Sequence, residues 1–100
     1  MPIAISPPIF RDAIRNIGLI LIDYLHTIRP NLHFVYEVED NYATFHFQGL
    51  LHTGVPIEFH YTIHNHPEHI LEQLVFFWPI INIFIHLCLP PPFMPRQYHT

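Results

Sequence analysis

Residues 31–65 read NLHFVYEVEDNYATFHFQGLLHTGVPIEFHYTIHN, and apolar and polar side chains alternate along three runs of this segment. Successive side chains of a β-strand point to opposite faces, so each run predicts a strand with one apolar face. A two-residue turn at Asp40 and Asn41, and a turn at residues 52–54 with Gly54 in the left-handed position, would join these strands. The segment therefore predicts an antiparallel meander.

The lengths of the two turns predict which residues lie opposite each other. The first turn places Phe34 opposite Phe47, and the second places Phe47 opposite Phe59. Both pairings keep the aromatic side chains on one face of the sheet. The other face is then polar, and it places His46 directly across from His60.

A helix is predicted before the meander. Ser6 followed by Pro7 and Pro8 is typical of a helix start, with serine at the N-cap and proline in the first turn. Apolar residues then recur at spacings of three and four, which predicts a helix over residues 7–28. Pro30 ends this helix, because the residue before a proline disfavours the helical conformation.

A second helix and a fourth strand are predicted after the meander. Asn65 is interpreted as the N-cap of a short helix that extends through Trp78, and Pro79 is expected to end that helix. Apolar residues then alternate with other residues over residues 80–89, which predicts a strand that ends before Pro90.

The predicted fold class is α+β. The element order is α-β-β-β-α-β, with a four-stranded antiparallel sheet and two helices packed on one face. Residues 1–89 are expected to form a single domain, since 100 residues suffice for one core. Residues 90–100 are expected to form a proline-rich tail.

The composition favours association with other proteins. Half of the residues are hydrophobic and 12% are charged, against about 25% charged in an average soluble protein. We therefore expect self-association, giving a homo-oligomer, or a protein partner.

The net charge of −4 and the absence of lysine argue against nucleic-acid binding, which depends on Lys and Arg to neutralise phosphates. Protonating all ten histidines would bring the charge to about +6, so assembly should depend on pH.

Membrane association is the less favoured expectation. The apolar run over residues 74–89 is shorter than the ~20 residues that span a bilayer, and it contains Pro79, Asn82 and His86. A helix over residues 67–78 that lies on the membrane surface is the alternative.

The N-terminus has no basic segment of the secretory type and Cys88 is the single cysteine, so we expect an intracellular, cytoplasmic location.

A metal site is predicted on the polar face of the sheet. His46 and His60 face each other there, Glu58 lies diagonally from His46, and His64 lies further along the same strand. Zn²⁺ or another divalent transition metal is the cofactor that these ligands would take. The competing interpretation is that an exposed sheet face simply needs polar side chains, and on that interpretation the chain binds no cofactor.

His64-Asn65-His66-Pro67 resembles the metal-binding His-x-His-Pro segment of the JAMM/RadC-type metalloprotease family. The resemblance covers four residues and implies metal-dependent hydrolysis. Leu74 and Phe77 stand where that family has Ser and Asp. The third ligand that the family uses is therefore missing.

Removal of Met1 would leave a chain that begins Pro2-Ile3-Ala4-Ile5. This segment is similar to the N-terminus of the 4-oxalocrotonate tautomerase family. The resemblance implies a general-base role for Pro2. Ser6-Pro7-Pro8 would cut the first strand short, and an antiparallel meander departs from the β-α-β unit of that family.

The helix and meander, with Gly54-Val55-Pro56-Ile57 and His66-Pro67, resemble a ubiquitin-conjugating-enzyme variant or RWD domain over residues 10–67. That resemblance implies an adaptor. Cys88-Leu89 is similar to the Cys-Leu of active conjugating enzymes, although one hairpin is shorter and the Tyr-Pro-x-x-Pro-Pro stretch is missing. Because Cys88 has no nearby Lys or Arg to activate it, we interpret it as a buried structural thiol.

No complete catalytic constellation is present in the sequence. We therefore predict a small non-enzymatic interaction module that self-associates through a sheet face or an edge strand. The alternatives are a histidine-mediated metal-binding or metal-dependent hydrolytic domain, and an adaptor of the ubiquitin-conjugating-enzyme-variant or RWD type.

Overall fold

The meander forms a three-stranded antiparallel sheet with a helix before it and a helix after it. The structure is a computed structural model that describes residues 5–90. Its elements are α1 (Pro7–Ile28), β1 (Leu32–Val38), β2 (Tyr42–Leu50), β3 (Pro56–His64) and α2 (Ile70–Leu87). The strand order is β1-β2-β3. The tautomerase-like opening over residues 2–4 and the tail over residues 91–100 lie outside the described residues.

The predicted strand registers are confirmed. Phe34 lies opposite Phe47, and Phe47 lies opposite Phe59. At the first turn, the Glu39 N–H donates to the Tyr42 carbonyl at 2.8 Å, which closes the two-residue hairpin. The second turn places Gly54 at φ 91°, a conformation that glycine adopts without the strain of a Cβ atom.

Helix α1 confirms the predicted bounds. Ser6 occupies the N-cap position, but it contributes its backbone carbonyl, which accepts from the Phe10 N–H at 2.9 Å, and its side chain makes no capping bond. The helix ends at Ile28, and its C-cap residue Arg29 adopts a left-handed conformation with φ 59° immediately before Pro30.

The predicted fourth strand is wrong, and so is the predicted helix end at Trp78. Residues 80–87 continue α2, so the part of the chain that the structure describes forms a sheet of three strands. The side chains that α2 buries against the core recur at helical spacing. They are Phe77, Ile81, Phe84 and Ile85. A strand would have aimed Phe84 and Ile85 at opposite faces, whereas the helix buries both.

Helix α2 tolerates Pro79 because the residue faces outward, which lowers the free-energy cost of the missing backbone hydrogen bond. A proline in a helix cannot donate to the carbonyl four residues before it, which here belongs to Val75. Both Pro79 and Val75 are exposed, so water can satisfy that carbonyl. Packing of the buried side of α2 against the sheet compensates for the remaining cost.

Asn65 is not the N-cap of α2, and this prediction is also wrong. The helix begins at Ile70 with His69 at the N-cap. The Asn65 side chain is nearly buried and binds two distant segments. Its Nδ2 donates to the Ile5 carbonyl at 2.7 Å and to the Asp40 carbonyl at 3.1 Å, and its Oδ1 accepts from the Ile5 N–H at 3.0 Å. Asn65 therefore ties the N-terminal segment and the first hairpin to the end of β3.

Replacing Asn65 with alanine is expected to destabilise the fold by about 2–3 kcal/mol, because partly buried backbone groups of Ile5 and Asp40 lose their partners. Urea unfolding measures the change. Asn16→Ala is the matched control, since Asn16 is exposed on α1 and alanine is the better helix former. Equal stability of the two variants would contradict this role.

The core lies between the helices and the aromatic face of the sheet. Helix α1 contributes Phe10, Ile14 and Leu21, and the strands contribute Phe45 and Phe47 among others. The two helices also contact each other: the rings of Tyr24 and Trp78 lie 5.1 Å apart, and the Tyr24 hydroxyl donates to Asn82 Oδ1 at 3.3 Å. Both helices therefore cover one face, and within residues 5–90 neither helix covers the polar face of the sheet.

Candidate functional site

On the polar face of the sheet, two of the four predicted metal ligands lie side by side, and a third lies near one of them. His46 and His60 are direct partners across β2 and β3, and their ring centroids lie 4.6 Å apart at an interplanar angle of 67°. Glu58 Oε1 lies 3.7 Å from His60 Nε2. His64 lies four residues further along β3, which corresponds to roughly 13 Å, so the structure does not bring it to the pair.

A tighter group of possible ligands lies elsewhere. Among the described residues, His66, Glu68 and His69 form the group whose ligand atoms all lie within 4.8 Å of one another. All three are exposed in the turn between β3 and α2. Sequence reasoning missed this group, although two histidines spaced by three residues with a glutamate between them were a usable signal.

The outer edge of β3 is partly closed by the side-chain amide of Gln73. Gln73 Oε1 accepts from the His64 N–H at 2.8 Å, and Gln73 Nε2 donates to the His64 carbonyl at 2.9 Å. The Tyr61 hydroxyl also donates to the Gln73 carbonyl at 2.8 Å, and burial raises the pKa of Tyr61. Backbone N–H and C=O groups that face away from the sheet belong to alternate residues of an edge strand. The backbone groups of residues 58, 60 and 62 therefore remain available to hydrogen-bond with an added strand.

The outer edge of β1 is equally short. Its outward-facing backbone groups belong to residues 32, 34, 36 and 38, as the hydrogen bond from Glu39 to Tyr42 fixes the alternation. Arg11 Nη1 lies 3.5 Å from the Val38 carbonyl, and Arg11 also pairs with Asp40 at 3.0 Å. Among the described residues, Arg11 and Gln73 each occupy one end of an edge strand, and three outward-facing residues remain on each edge.

The helices, by contrast, expose many large apolar side chains. We call these side chains the outer helical surface. It consists of Ile9, Leu19, Ile20, Ile22, Leu71, Val75, Phe76, Trp78, Ile83 and Leu87. Single exposed apolar residues are ordinary on protein surfaces, whereas contiguous apolar patches are typical of contact surfaces.

A groove between the two helices belongs to this surface. It has a volume of about 290 Å³, and its walls are apolar. The lining residues are Ile17, Ile20, Leu21, Leu74, Phe77 and Trp78. Ile20 of α1 and Trp78 of α2 are the exposed members of this lining, so exposed apolar side chains of the two helices meet at the groove.

Charged groups are scarce along α2, which carries Glu72 as its one charged residue over 18 residues, apart from His86. Helix α1 exposes Asp12, Arg15 and Asp23, and Asp23 lies beside Leu19, Ile20 and Ile22. On the polar face of the sheet, exposed apolar side chains are fewer and lie among His, Thr, Gln and Glu. They are Val35, Tyr42 and Leu50.

Helix α2 is also long and apolar enough to cross a membrane, judged by length and composition. Four of its 18 residues are buried. Those buried side chains pack against the aromatic face of a sheet whose other face is polar. In this arrangement α2 lies along the sheet, so contact with a bilayer would involve its exposed side rather than a span.

Cys88 is a buried thiol, as the sequence indicated. It is fully buried in the core cluster beside Gly49, and burial raises its pKa. A nucleophilic cysteine requires an accessible thiol with a lowered pKa. The surroundings of Cys88 therefore favour a packing role over the conjugating role that the Cys-Leu resemblance implied.

No known protein family, curated protein or solved structure matches the chain. The resemblances to metalloproteases and to ubiquitin-conjugating-enzyme variants therefore rest on the few residues that carry them. At the positions where a JAMM/RadC-type site needs further ligands, Leu74 lines the helical groove and Phe77 is buried in the core. Function must be inferred from the surfaces of the chain itself.

Proposed function

We propose that this chain is a non-enzymatic interaction module that self-associates through the outer helical surface. The observation that carries the proposal is the exposed side of α2, where Leu71, Val75, Phe76 and Ile83 are more than half exposed. Removing apolar surface from water yields roughly 25 cal/mol per Å². A second copy that covers this surface would gain that free energy without burying many charges.

The outer helical surface is a better interface than the surfaces that the sequence suggested. The sequence led us to expect association through a sheet face or an edge strand. The polar face of the sheet would bury His46, His60 and Glu58, which costs desolvation free energy. Arg11 and Gln73 occupy one end of the β1 edge and of the β3 edge, which shortens the run of backbone groups left for an added strand.

A second copy of the chain suits this surface because an apolar interface requires no complementary charge. In a two-fold symmetric dimer the same patch of each copy meets its equivalent. Glu72 is the charged residue of α2 and lies in its first turn, so the middle and the end of α2 can pair without like-charge repulsion.

Membrane association is the second candidate, and the composition of α2 favours it. Helices that bind membrane surfaces usually combine an apolar side with a Lys- and Arg-rich polar side. Helix α2 contains neither residue, and the chain has a net charge of −4. Attraction to anionic lipids is therefore weak, which places self-association first.

Sedimentation of the full chain distinguishes the two candidates. We expect the average mass to exceed the monomer mass of 11.9 kDa and to rise over a range from about 1 to about 200 µM. Neutral and anionic vesicles added in flotation assays should leave most of the protein unbound. A monomer at every concentration that floats with vesicles would support the membrane candidate instead.

A further inference from the structure

We propose that His66, Glu68 and His69 bind a divalent transition-metal ion such as Zn²⁺ at the turn that precedes α2. Their ligand atoms already lie within 4.8 Å of one another. Ligands of a tetrahedral zinc ion, at about 2.0–2.1 Å from the metal, lie roughly 3.4 Å apart. All three side chains are exposed, so small rotations can close that difference.

The backbone of the turn holds the two imidazoles side by side. The carbonyl of His66 accepts from the His69 N–H at 3.0 Å and from the Ile70 N–H at 2.8 Å. The imidazole centroids of His66 and His69 consequently lie 4.7 Å apart, with an interplanar angle of 33°. A metal ion at the edges of the rings, in line with one nitrogen of each imidazole, would therefore meet ligands that the fold has already brought together.

The side chains supply two nitrogen ligands and one carboxylate. Imidazole suits zinc, copper and nickel, while a carboxylate is accepted by all three ions. The remaining coordination positions would be filled by water, because the group is fully on the surface. Such a site binds more weakly than a closed four-ligand structural site.

Glu72 acts as a positioning residue for His69. Glu72 Oε1 lies 3.5 Å from His69 Nδ1, which directs the Nε2 atom of His69 away from the carboxylate and makes it available to the ion. A carboxylate that holds the second nitrogen of a histidine ligand fixes the ring and raises its basicity.

His66 must exchange a hydrogen bond for the metal. Its Nδ1 accepts from the Glu68 N–H at 3.2 Å. A neutral imidazole carries one proton, so a ring that accepts at Nδ1 holds that proton on Nε2. Coordination therefore either replaces this bond at Nδ1 or moves the proton to Nδ1 and frees Nε2.

Zinc titration of the full chain, purified without a polyhistidine tag, tests the site. We expect calorimetry to show one Zn²⁺ per chain, and His66→Ala/His69→Ala to lower the affinity at least tenfold. The control is His46→Ala/His60→Ala, which removes the facing pair on the sheet and should change the affinity less than about twofold. All four histidines are at least partly exposed, so the variants should keep the wild-type circular dichroism.

The same titration can overturn the proposal in three ways. Wild-type protein that binds no Zn²⁺ would refute it, as would unchanged affinity of the His66→Ala/His69→Ala variant. Loss of affinity in the His46→Ala/His60→Ala variant, alone or to the same extent, would assign the ion to the polar face of the sheet or to both places.

A separate pair of variants tests the positioning residue. Glu72→Gln should weaken zinc binding by about tenfold, because a neutral amide holds the His69 ring less firmly. Glu37→Gln is the control, since Glu37 is exposed on the sheet and lies opposite Thr44. Equal affinities of the two variants would contradict the role of Glu72, provided that both unfold at the same temperature.

Discussion

Phe45→Ala is expected to destabilise the fold by about 3–5 kcal/mol, the typical cost of removing a fully buried phenylalanine. Phe45 is at 0% exposure in the middle strand. Its ring meets the rings of Phe34, Tyr36, Phe47 and Phe77 at centroid distances between 5.0 and 6.4 Å. The truncation would leave a cavity where the sheet meets α2.

Urea unfolding of Phe45→Ala and Val35→Ala compares the two faces of the sheet. Val35 is exposed on the polar face of β1, and its truncation should change stability by no more than about 0.5 kcal/mol. If Phe45→Ala fails to fold, Phe45→Leu should still cost about 1–3 kcal/mol. Similar stabilities for Phe45→Leu and Val35→Ala would contradict the assignment of the two faces.

The meander was predictable because two independent features of the sequence agree. The alternation of apolar residues sets the faces of each strand, and the turn lengths set the registers. Both predict that Phe34 and Phe59 lie on the same face as Phe47, and the structure has that arrangement. The facing pair of His46 and His60 followed from the same registers.

The second half of α2 was not predictable from periodicity. Nearly every residue over 80–89 is apolar, so the pattern fits two elements equally well. The alternating isoleucines fit a strand, and the side chains that the structure buries fit a helix. Pro79 favoured a break between two elements. Packing of Ile81 and Phe84 against the sheet stabilises the helix instead. That packing depends on strand residues that are far away in the sequence.

The role of Asn65 was hidden for a similar reason. Its pattern with Glu68 fits a helix N-cap, but its amide binds Ile5, which lies 60 positions earlier in the chain. Moving the helix start to Ile70 then leaves His66 and His69 together in a turn. His66 and His69 are spaced by three residues, so they would be neighbours in a helix as well as in this turn, and the sequence alone could have indicated the candidate metal site.

Val75→Glu is expected to weaken self-association at least tenfold, because a carboxylate in an apolar interface loses its hydration without gaining a partner. Val35→Glu is a closely matched control. Both valines are 61% exposed, but Val75 lies on the outer helical surface and Val35 lies on the polar face of the sheet. The two variants change the same residue type and the same net charge.

Sedimentation equilibrium of the wild-type chain and of these two variants tests the proposed interface most directly. We predict that the wild-type chain and Val35→Glu associate with dissociation constants within about twofold of each other, whereas Val75→Glu is shifted towards the monomer by at least tenfold. A wild-type chain that remains monomeric, or a loss of association in Val35→Glu but not in Val75→Glu, would contradict association through the outer helical surface.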